Sequence, residues 1–232
     1  MAIVNFVLII VATFFILEIE SAVNPAQPIT TLKNRVKSAS DILDRYNRNL
    51  VFNARTKLNN LKFNQMTNVN TAVNNALTLT QQKITSANNQ GHDADKCYEP
   101  LRLSLNTASK KAFDDLDACV ENELTPVKGV ENNIDNHLLT GKLLLNELDG
   151  IAISCAHGTT LDMQICIGQK LPNASLSVKN FENTCDSLKG TGDSLSSSVQ
   201  NSGLRCFQSR VDELNQAVTS GRNTADQCIN SS

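Results

Sequence analysis

The sequence predicts an all-α protein: a disulfide-braced antiparallel bundle of long helices, with an additional long amphipathic helix at the N-terminus. Only 10 Gly and 5 Pro interrupt the 232 residues, too few for the many turns of a β-sandwich or barrel. Aromatic residues make up only 4%, and long stretches repeat apolar residues at spacings of three and four. The 41% of hydrophobic residues is enough for a sizeable core.

The chain begins with a nearly unbroken apolar run from Met1 to Leu17. This run is short for a membrane span, which needs ~20 residues. Small residues follow at Ser21 and Ala22, as signal peptidase requires. We therefore expect residues 1–22 to be a signal peptide that is removed during secretion, and an uncleaved anchor is the alternative.

Residues 23–90 are predicted to form a basic amphipathic helical segment. No Pro or Gly occurs between Pro28 and Gly91. The apolar face slips in register between Leu50 and Leu58, so we favour a continuous or kinked helix, and a hairpin of two shorter helices stays open. The residues that line the first part of this face are Leu32, Val36, Ala39, Leu43, Tyr46 and Leu50.

Charge is distributed unevenly between the two parts of the chain. Losing Glu18 and Glu20 with the signal leaves 21 acidic and 21 basic residues, which gives no electrostatic case for nucleic acid. Residues 23–90 nevertheless carry nine Lys or Arg against two Asp, so residues 91–232 are acidic by the same margin. The imbalance fits either a basic arm for an anionic surface or mutual attraction of the two parts, and we favour attraction.

Residues 91–232 are predicted to form a four-helix bundle that contains all seven cysteines. Thr125-Pro126, Gly158 and the pair Gly190 and Gly192 supply the breaks, and Pro172 kinks or splits the third segment. The expected helices cover about 97–124, 127–155, 161–189 and 193–228.

The cysteine spacing predicts which cysteines pair. Cys97 and Cys119 are 22 residues apart, as are Cys206 and Cys228. On intact helices this separation is ~33 Å, whereas a disulfide requires Cα atoms within about 7 Å. If the first and last helices run antiparallel, Cys97 lies level with Cys228 and Cys119 with Cys206. We therefore predict the disulfides Cys97–Cys228 and Cys119–Cys206.

The remaining cysteines are Cys155, Cys166 and Cys185. Cys155 and Cys166 flank the predicted turn at Gly158, so we expect them to join there. Cys185 is then the odd cysteine, which in a secreted protein is either a buried thiol or a link to a second chain, giving a homodimer. Asn173-Ala174-Ser175 is an acceptor site for N-glycosylation at Asn173.

We assign no catalytic, cofactor or metal site. His157 lies close to Cys155, but no second closely spaced pair accompanies them, and oxidised cysteines cannot ligate zinc. The three histidines are scattered over predicted helices, with no nucleophile at a recognisable spacing. We therefore expect no enzyme activity and no cofactor.

The ladder of cysteines resembles that of an insect secreted domain family named after the tsetse EP protein. The resemblance covers about 90–232, and residues 23–90 have no counterpart in it. It implies a secreted insect protein of gut or haemolymph type, without established enzyme activity and with a role in defence. The residues that carry it are Cys97 and Cys119, 22 apart, then Cys155, Cys166, Cys185, Cys206 and Cys228, at intervals of 11, 19, 21 and 22.

Together these features predict a secreted, extracellular, non-enzymatic helical binding or interaction protein. A braced bundle suits recognition of a partner by a helix face. The expected partner is an extracellular protein or an anionic surface, with no stable membrane insertion. The alternative is an extracellular carrier of lipid or a small apolar ligand, which amphipathic helices can enclose.

Overall fold

The computed structural model describes residues 24–232, so the predicted signal peptide 1–22 lies outside the described residues. The described part of the chain has three long helices that pack together and no strand. We label them α1, Gln27–Asn89, α2, Tyr98–Ser154, and α3, Thr160–Asn230; a short 3-10 helix at Asp95–Cys97 precedes α2. The prediction of an all-α, disulfide-braced bundle of long helices is confirmed.

The N-terminal segment is one helix of 63 residues rather than a hairpin. Where the apolar register slips, Leu50, Ala54 and Leu58 are all buried and lie four residues apart. A spacing of four exceeds the 3.6 residues of a helical turn, so the buried face winds slowly around the helix and remains continuous. Nothing in the backbone has to turn.

The expected four-helix bundle is wrong, because Thr125-Pro126 lies inside α2 and Pro172 inside α3. A proline inside a helix removes the hydrogen bond to the carbonyl four residues earlier. Pro126 and Asn122 are both exposed, so water can satisfy that carbonyl. Leu124 and Val127 beside the proline are fully buried, and their packing holds α2 together through this point.

The pair Gly190 and Gly192 also lies inside a helix, α3, instead of ending one. Gly192 is buried against Tyr46 of α1, and a Cβ built on it would overlap the Tyr46 hydroxyl. This hydroxyl donates to the Asp193 carboxylate at 2.9 Å and lies 3.0 Å from the Lys189 carbonyl oxygen. Gly192 therefore lets two helices approach closely, and it is not a break in the chain.

Packing divides the chain into two units, and each of the three helices contributes to both. Unit 1 comprises the described residues 24–43 and Asn136–Asp186; unit 2 comprises Asp44–Asp135 and Ser187–Ser232. In unit 1 the ring of Phe181 is buried against Gly141, where a Cβ would lie 2.7 Å from its Cζ atom. The half-buried His137 stacks on the same ring, with 4.5 Å between ring centroids.

Unit 2 contains two disulfides that join α2, or the residue just before it, to α3. The Cα atoms of Cys97 and Cys228 are 5.8 Å apart, and those of Cys119 and Cys206 are 6.0 Å apart. These are the pairs that the spacing predicts. The residue just before α2 joins the last turn of α3, and Cys119, further along α2, joins Cys206, earlier in α3, so α2 and α3 run antiparallel in unit 2.

Five of the nine Lys and Arg residues of 23–90 contact carboxylates of α2 or α3, as mutual attraction of the two parts of the chain predicts. Pairs of this exposure contribute only ~0–1 kcal/mol each, so they align the helices more than they stabilise them. The pairs are Lys33–Asp149 and Arg35–Glu182 in unit 1, and Arg55–Glu121, Lys62–Asp117 and Lys83–Asp226 in unit 2.

The close approach at Gly192 can be tested against its neighbour Gly190, which has open space around it. Alanine at position 192 should lower the free energy of unfolding by ~1–3 kcal/mol, because its methyl group displaces the Tyr46 side chain. Alanine at position 190 should raise it by ~0.5–1 kcal/mol, because alanine favours a helix over glycine. Urea unfolding followed by circular dichroism measures both. A destabilised Gly190→Ala variant would show that α3 is broken at this point.

Candidate functional site

Exposed apolar side chains are concentrated in unit 1. Twelve large apolar residues are exposed in the described part of the chain, and seven of them lie in unit 1, the smaller unit. Scattered single residues of this kind are ordinary on a protein surface, but a local concentration marks an interaction site. The seven are Ile42, Leu139, Leu143, Ile153, Leu161, Ile165 and Leu176.

Three of these side chains lie where α2 turns into α3, in residues 151–167, which we call the hairpin end. Ile153 is 70% exposed, Leu161 64% and Ile165 52%. Among the Asp, Glu, Lys and Arg residues of the chain, only Asp162 lies within this segment. The hairpin end therefore offers water an apolar surface with almost no charge.

The backbone of the hairpin end is fixed by a glycine and a capping box. Gly158 has a φ of +90°, a conformation that favours glycine, and it reverses the chain after α2. The Thr159 backbone N–H and hydroxyl donate to the Asp162 carboxylate at 2.8 and 2.7 Å. The Asp162 N–H donates in return to the Thr159 hydroxyl oxygen at 3.3 Å. These bonds satisfy the N–H of the capping residue Thr159 and that of Asp162 in the first turn of α3.

A disulfide and a side-chain hydrogen bond close the hairpin end across its base. Cys155 and Cys166 are bonded, with Cα atoms 5.6 Å apart, and this is the pair expected from their places on either side of Gly158. Lys170 Nζ donates to the Ser154 hydroxyl at 2.8 Å. The end of α2 and the start of α3 are thus tied together, and the exposed side chains are held on a rigid support.

The Asp162 carboxyl is the one charged group that shapes this turn. Hydrogen bonds from the Thr159 backbone N–H, and then from the Thr159 hydroxyl, lower the pKa of Asp162. A lowered pKa means that the ionised carboxylate is the form that the folded turn prefers. The turn is consequently more ordered above this pKa than below it.

A shallow groove of about 420 Å³ runs between α2 and α3 in unit 1. Its apolar lining includes Leu143, which is 69% exposed, and Phe181, which is buried. Its other walls are polar, from Thr140 and Glu147 on α2 to Asn180 on α3. This mixture of apolar and polar walls is typical of a surface that contacts another molecule.

The structure places the other predicted site residues as follows. Asn173 is exposed on α3 in unit 1. Cys185 is buried in unit 1. His157 lies in the hairpin end, and among residues 24–232 no group of three or more His, Cys, Asp or Glu side chains is arranged to hold a metal ion. No stretch of α1, α2 or α3 combines the length and hydropathy of a membrane span.

The exposure of the hairpin end was not predicted, because its apolar residues look in sequence like part of a buried helix face. A signal was present in the pattern of residues. Apolar residues alternate at 161, 163, 165 and 167, so they cannot all share one helical face, and some must be exposed.

Comparison with family models, with curated proteins and with solved structures gives no match for this chain. The resemblance to the tsetse EP-type family therefore rests on the cysteine spacing and composition given above.

The capping box makes the order of the hairpin end depend on pH. Above the ordinary Asp pKa of 3.8 the carboxylate accepts both Thr159 hydrogen bonds, and these bonds stabilise the turn. The stabilisation is lost as pH falls through the lowered pKa of Asp162 in the folded protein. Protection of the Thr159 amide from hydrogen exchange should therefore be lower at pH 2.5 than at pH 6.

Replacing Asp162 by alanine should leave the Thr159 amide poorly protected at both pH values. Asp114→Ala, at an exposed position of α2 in unit 2, is the matched control and should behave as the original protein does. Equal protection of the Thr159 amide at pH 6 in Asp162→Ala and the original protein would contradict the capping box.

Proposed function

We propose that this protein is a secreted, non-enzymatic helical binding protein that recognises an extracellular partner through unit 1. The resemblance to the tsetse EP-type family adds an insect gut or haemolymph setting and a role in defence to the proposal. The observation that carries it is the concentration of exposed aliphatic side chains on the braced hairpin end and beside the α2/α3 groove of unit 1.

Rigidity is the property that makes this surface suitable for binding. A surface that is already ordered loses little conformational freedom when a partner docks, so more of the contact energy appears as affinity. The bond between Cys155 and Cys166 and the hydrogen bonds of Thr159 supply this order. Residues of the hairpin end thus need not fold on binding.

Secretion is supported by the cysteines and the start of the sequence. Six of the seven cysteines form disulfides, which persist in oxidising, extracellular compartments. The apolar run Met1–Leu17 and the glycosylation acceptor Asn173 are both features of proteins that enter the secretory pathway.

The partner is better sought at unit 1 than along the basic residues of α1. Five of those residues already contact carboxylates of the same chain, including Arg55 with Glu121 and Lys62 with Asp117. Their charge is largely compensated, which weakens attraction to an anionic surface.

The alternative function, a carrier of lipid or a small apolar ligand, is favoured by a groove of about 500 Å³ between α2 and α3 in unit 2. This volume lies in the range of small-molecule sites. Its walls include Leu101 and Ala225, next to the disulfide of Cys97 and Cys228. That bond and the second one, at Cys119, prevent α2 and α3 from opening further around a lipid, which supports a binding protein over a carrier.

The proposal is tested with protein collected from the medium of insect cells that express the full chain. We expect saturable binding of the labelled protein to intact insect cells. Changing Ile153, Leu161 and Ile165 together to Gln should abolish most of the binding, because glutamine keeps helix propensity but removes the apolar surface.

The matched control changes three exposed leucines of unit 2, Leu79, Leu103 and Leu204, to Gln. This variant should bind as the original protein does. Failure of the original protein to reach the medium would contradict secretion, and equal loss of binding in both variants would contradict recognition through unit 1. A stoichiometric lipid found by native mass spectrometry would favour the carrier instead.

A further inference from the structure

We infer that a polar groove between α1 and α3 in unit 2 binds an acidic oligosaccharide, a glycan that carries carboxylate or sulfate groups spaced along its chain. The groove has a volume of about 580 Å³. It lies outside unit 1, so it is a second binding site beyond the one in the proposed function. The lining residues on which the inference depends are Arg45, Asn53, Thr56 and Lys57 of α1, with Asp193 and Ser196 of α3.

The groove contains two basic residues of α1 that have no acidic partner. Of the nine Lys and Arg residues on α1, five contact carboxylates of α2 or α3, and Arg48 contacts Asp44. Arg45 and Lys57 are exposed and make no ion pair within the described part of the chain, and both line the groove. The remaining one, Lys37, lies in unit 1. Two charges that the fold leaves uncompensated therefore favour an anionic ligand at this groove.

The separation of the two cations indicates the length of the ligand. Arg45 and Lys57 are 12 residues apart on α1, which corresponds to about 18 Å along a helix axis. This distance suits an extended ligand with an anionic group near each end better than a single inorganic ion. The guanidinium of Arg45 can donate two parallel hydrogen bonds to a carboxylate or a sulfate, and the ammonium of Lys57 acts as a point charge.

Uncharged hydrogen-bonding groups line much of the rest of the groove. The amide of Asn53 and the hydroxyls of Thr56 and Ser196 make no hydrogen bond to other residues of 24–232. The Asp193 carboxylate accepts a hydrogen bond from the Tyr46 hydroxyl at 2.9 Å and has further acceptor capacity. It repels a third anion but accepts hydrogen bonds from hydroxyl groups. The groove thus suits a ligand with many hydroxyls and few charges, and nucleic acid is too densely charged for it.

An exposed aromatic ring borders the groove. Phe52 is 66% exposed. It comes three residues after Asn49 and four before Thr56, which both line the groove, so it lies beside them on the helix surface. The C–H face of a sugar packs against an aromatic ring while the sugar hydroxyls bond to nearby polar groups. An acidic peptide would instead need apolar pockets for its side chains or a free strand edge, so these groups favour a glycan.

Binding of defined oligosaccharides to the full chain tests the inference. The fluorescent probes have equal length: chondroitin sulfate, hyaluronan, which is acidic through carboxylates alone, and an uncharged chitin oligosaccharide. By fluorescence anisotropy we expect saturable binding of at least one acidic probe, about tenfold or more tighter than the uncharged probe. Raising NaCl from about 50 to about 200 mM should weaken this binding by about tenfold, because two cations contribute. The better acidic probe identifies the anionic group.

Three variants separate the contributions of charge and of the ring. Changing Arg45 and Lys57 together to Gln should weaken binding of the acidic probe roughly ten- to thirtyfold and remove most of its salt dependence. The matched control changes Lys37 and Lys110, which are exposed and make no ion pair in the described part of the chain, and should bind within about twofold of the original protein. Phe52→Ala should weaken binding about three- to tenfold and leave the salt dependence unchanged. Circular dichroism confirms that each variant is folded.

Several results would overturn the inference. They are absence of saturable binding to both acidic probes, equal binding of the uncharged probe, and equal loss of binding in the Arg45 and Lys57 variant and its charge-matched control. Tighter binding of single-stranded DNA with the same number of charges would show unselective attraction of polyanions. Unchanged binding by Phe52→Ala would contradict recognition of a sugar ring.

The variant of unit 1, with Ile153, Leu161 and Ile165 changed to Gln, distinguishes the two sites. It should bind the acidic probe as the original protein does, because the groove lies in unit 2. Loss of cell binding in that variant with glycan binding intact would support both sites. Glycan binding without any effect of that variant on cells would support the groove alone and contradict recognition through unit 1.

Discussion

The register of α2 against α3 is the constraint on which the rest of unit 2 depends, and two disulfides set it. Cys97–Cys228 and Cys119–Cys206 span sequence separations of 131 and 87 residues. In the chain-entropy description, closing a loop of that length stabilises the folded state by on the order of 4 kcal/mol. Because the cysteines are equally spaced on both helices, the two bonds form together only when the helices are antiparallel and in one axial register.

The register also brings α3 close to its neighbours at two glycines, Gly203, which is buried, and Gly221, which is half-buried. A Cβ on Gly221 would lie 2.9 Å from a methyl group of Leu101, and one on Gly203 would overlap Leu58. Each glycine thus accommodates one particular side chain of a neighbouring helix, and a shift by a single residue would bring a larger side chain to that place. Close packing and the disulfides therefore specify the same register.

Much of this fold could be predicted from sequence, because helical periodicity and cysteine spacing correspond directly to buried helix faces and to disulfides. The features that could not be predicted are those that depend on tertiary packing. Pro126 and the pair Gly190 and Gly192 are strong local signals for a break, yet buried neighbours keep α2 and α3 continuous. The exposed surface of the hairpin end was not predicted, because an exposed aliphatic residue such as Ile153 cannot be distinguished in sequence from a residue of the core.

Peptide mapping of the oxidised protein tests the register most directly. Trypsin cleaves between Cys97 and Cys119, for example after Arg102, and between Cys206 and Cys228 after Arg210. Mass spectrometry without reduction should then find peptides that join Cys97 to Cys228 and Cys119 to Cys206. Peptides that join Cys97 to Cys119, or Cys206 to Cys228, would contradict the antiparallel register, since neither pair can meet while its helix is intact.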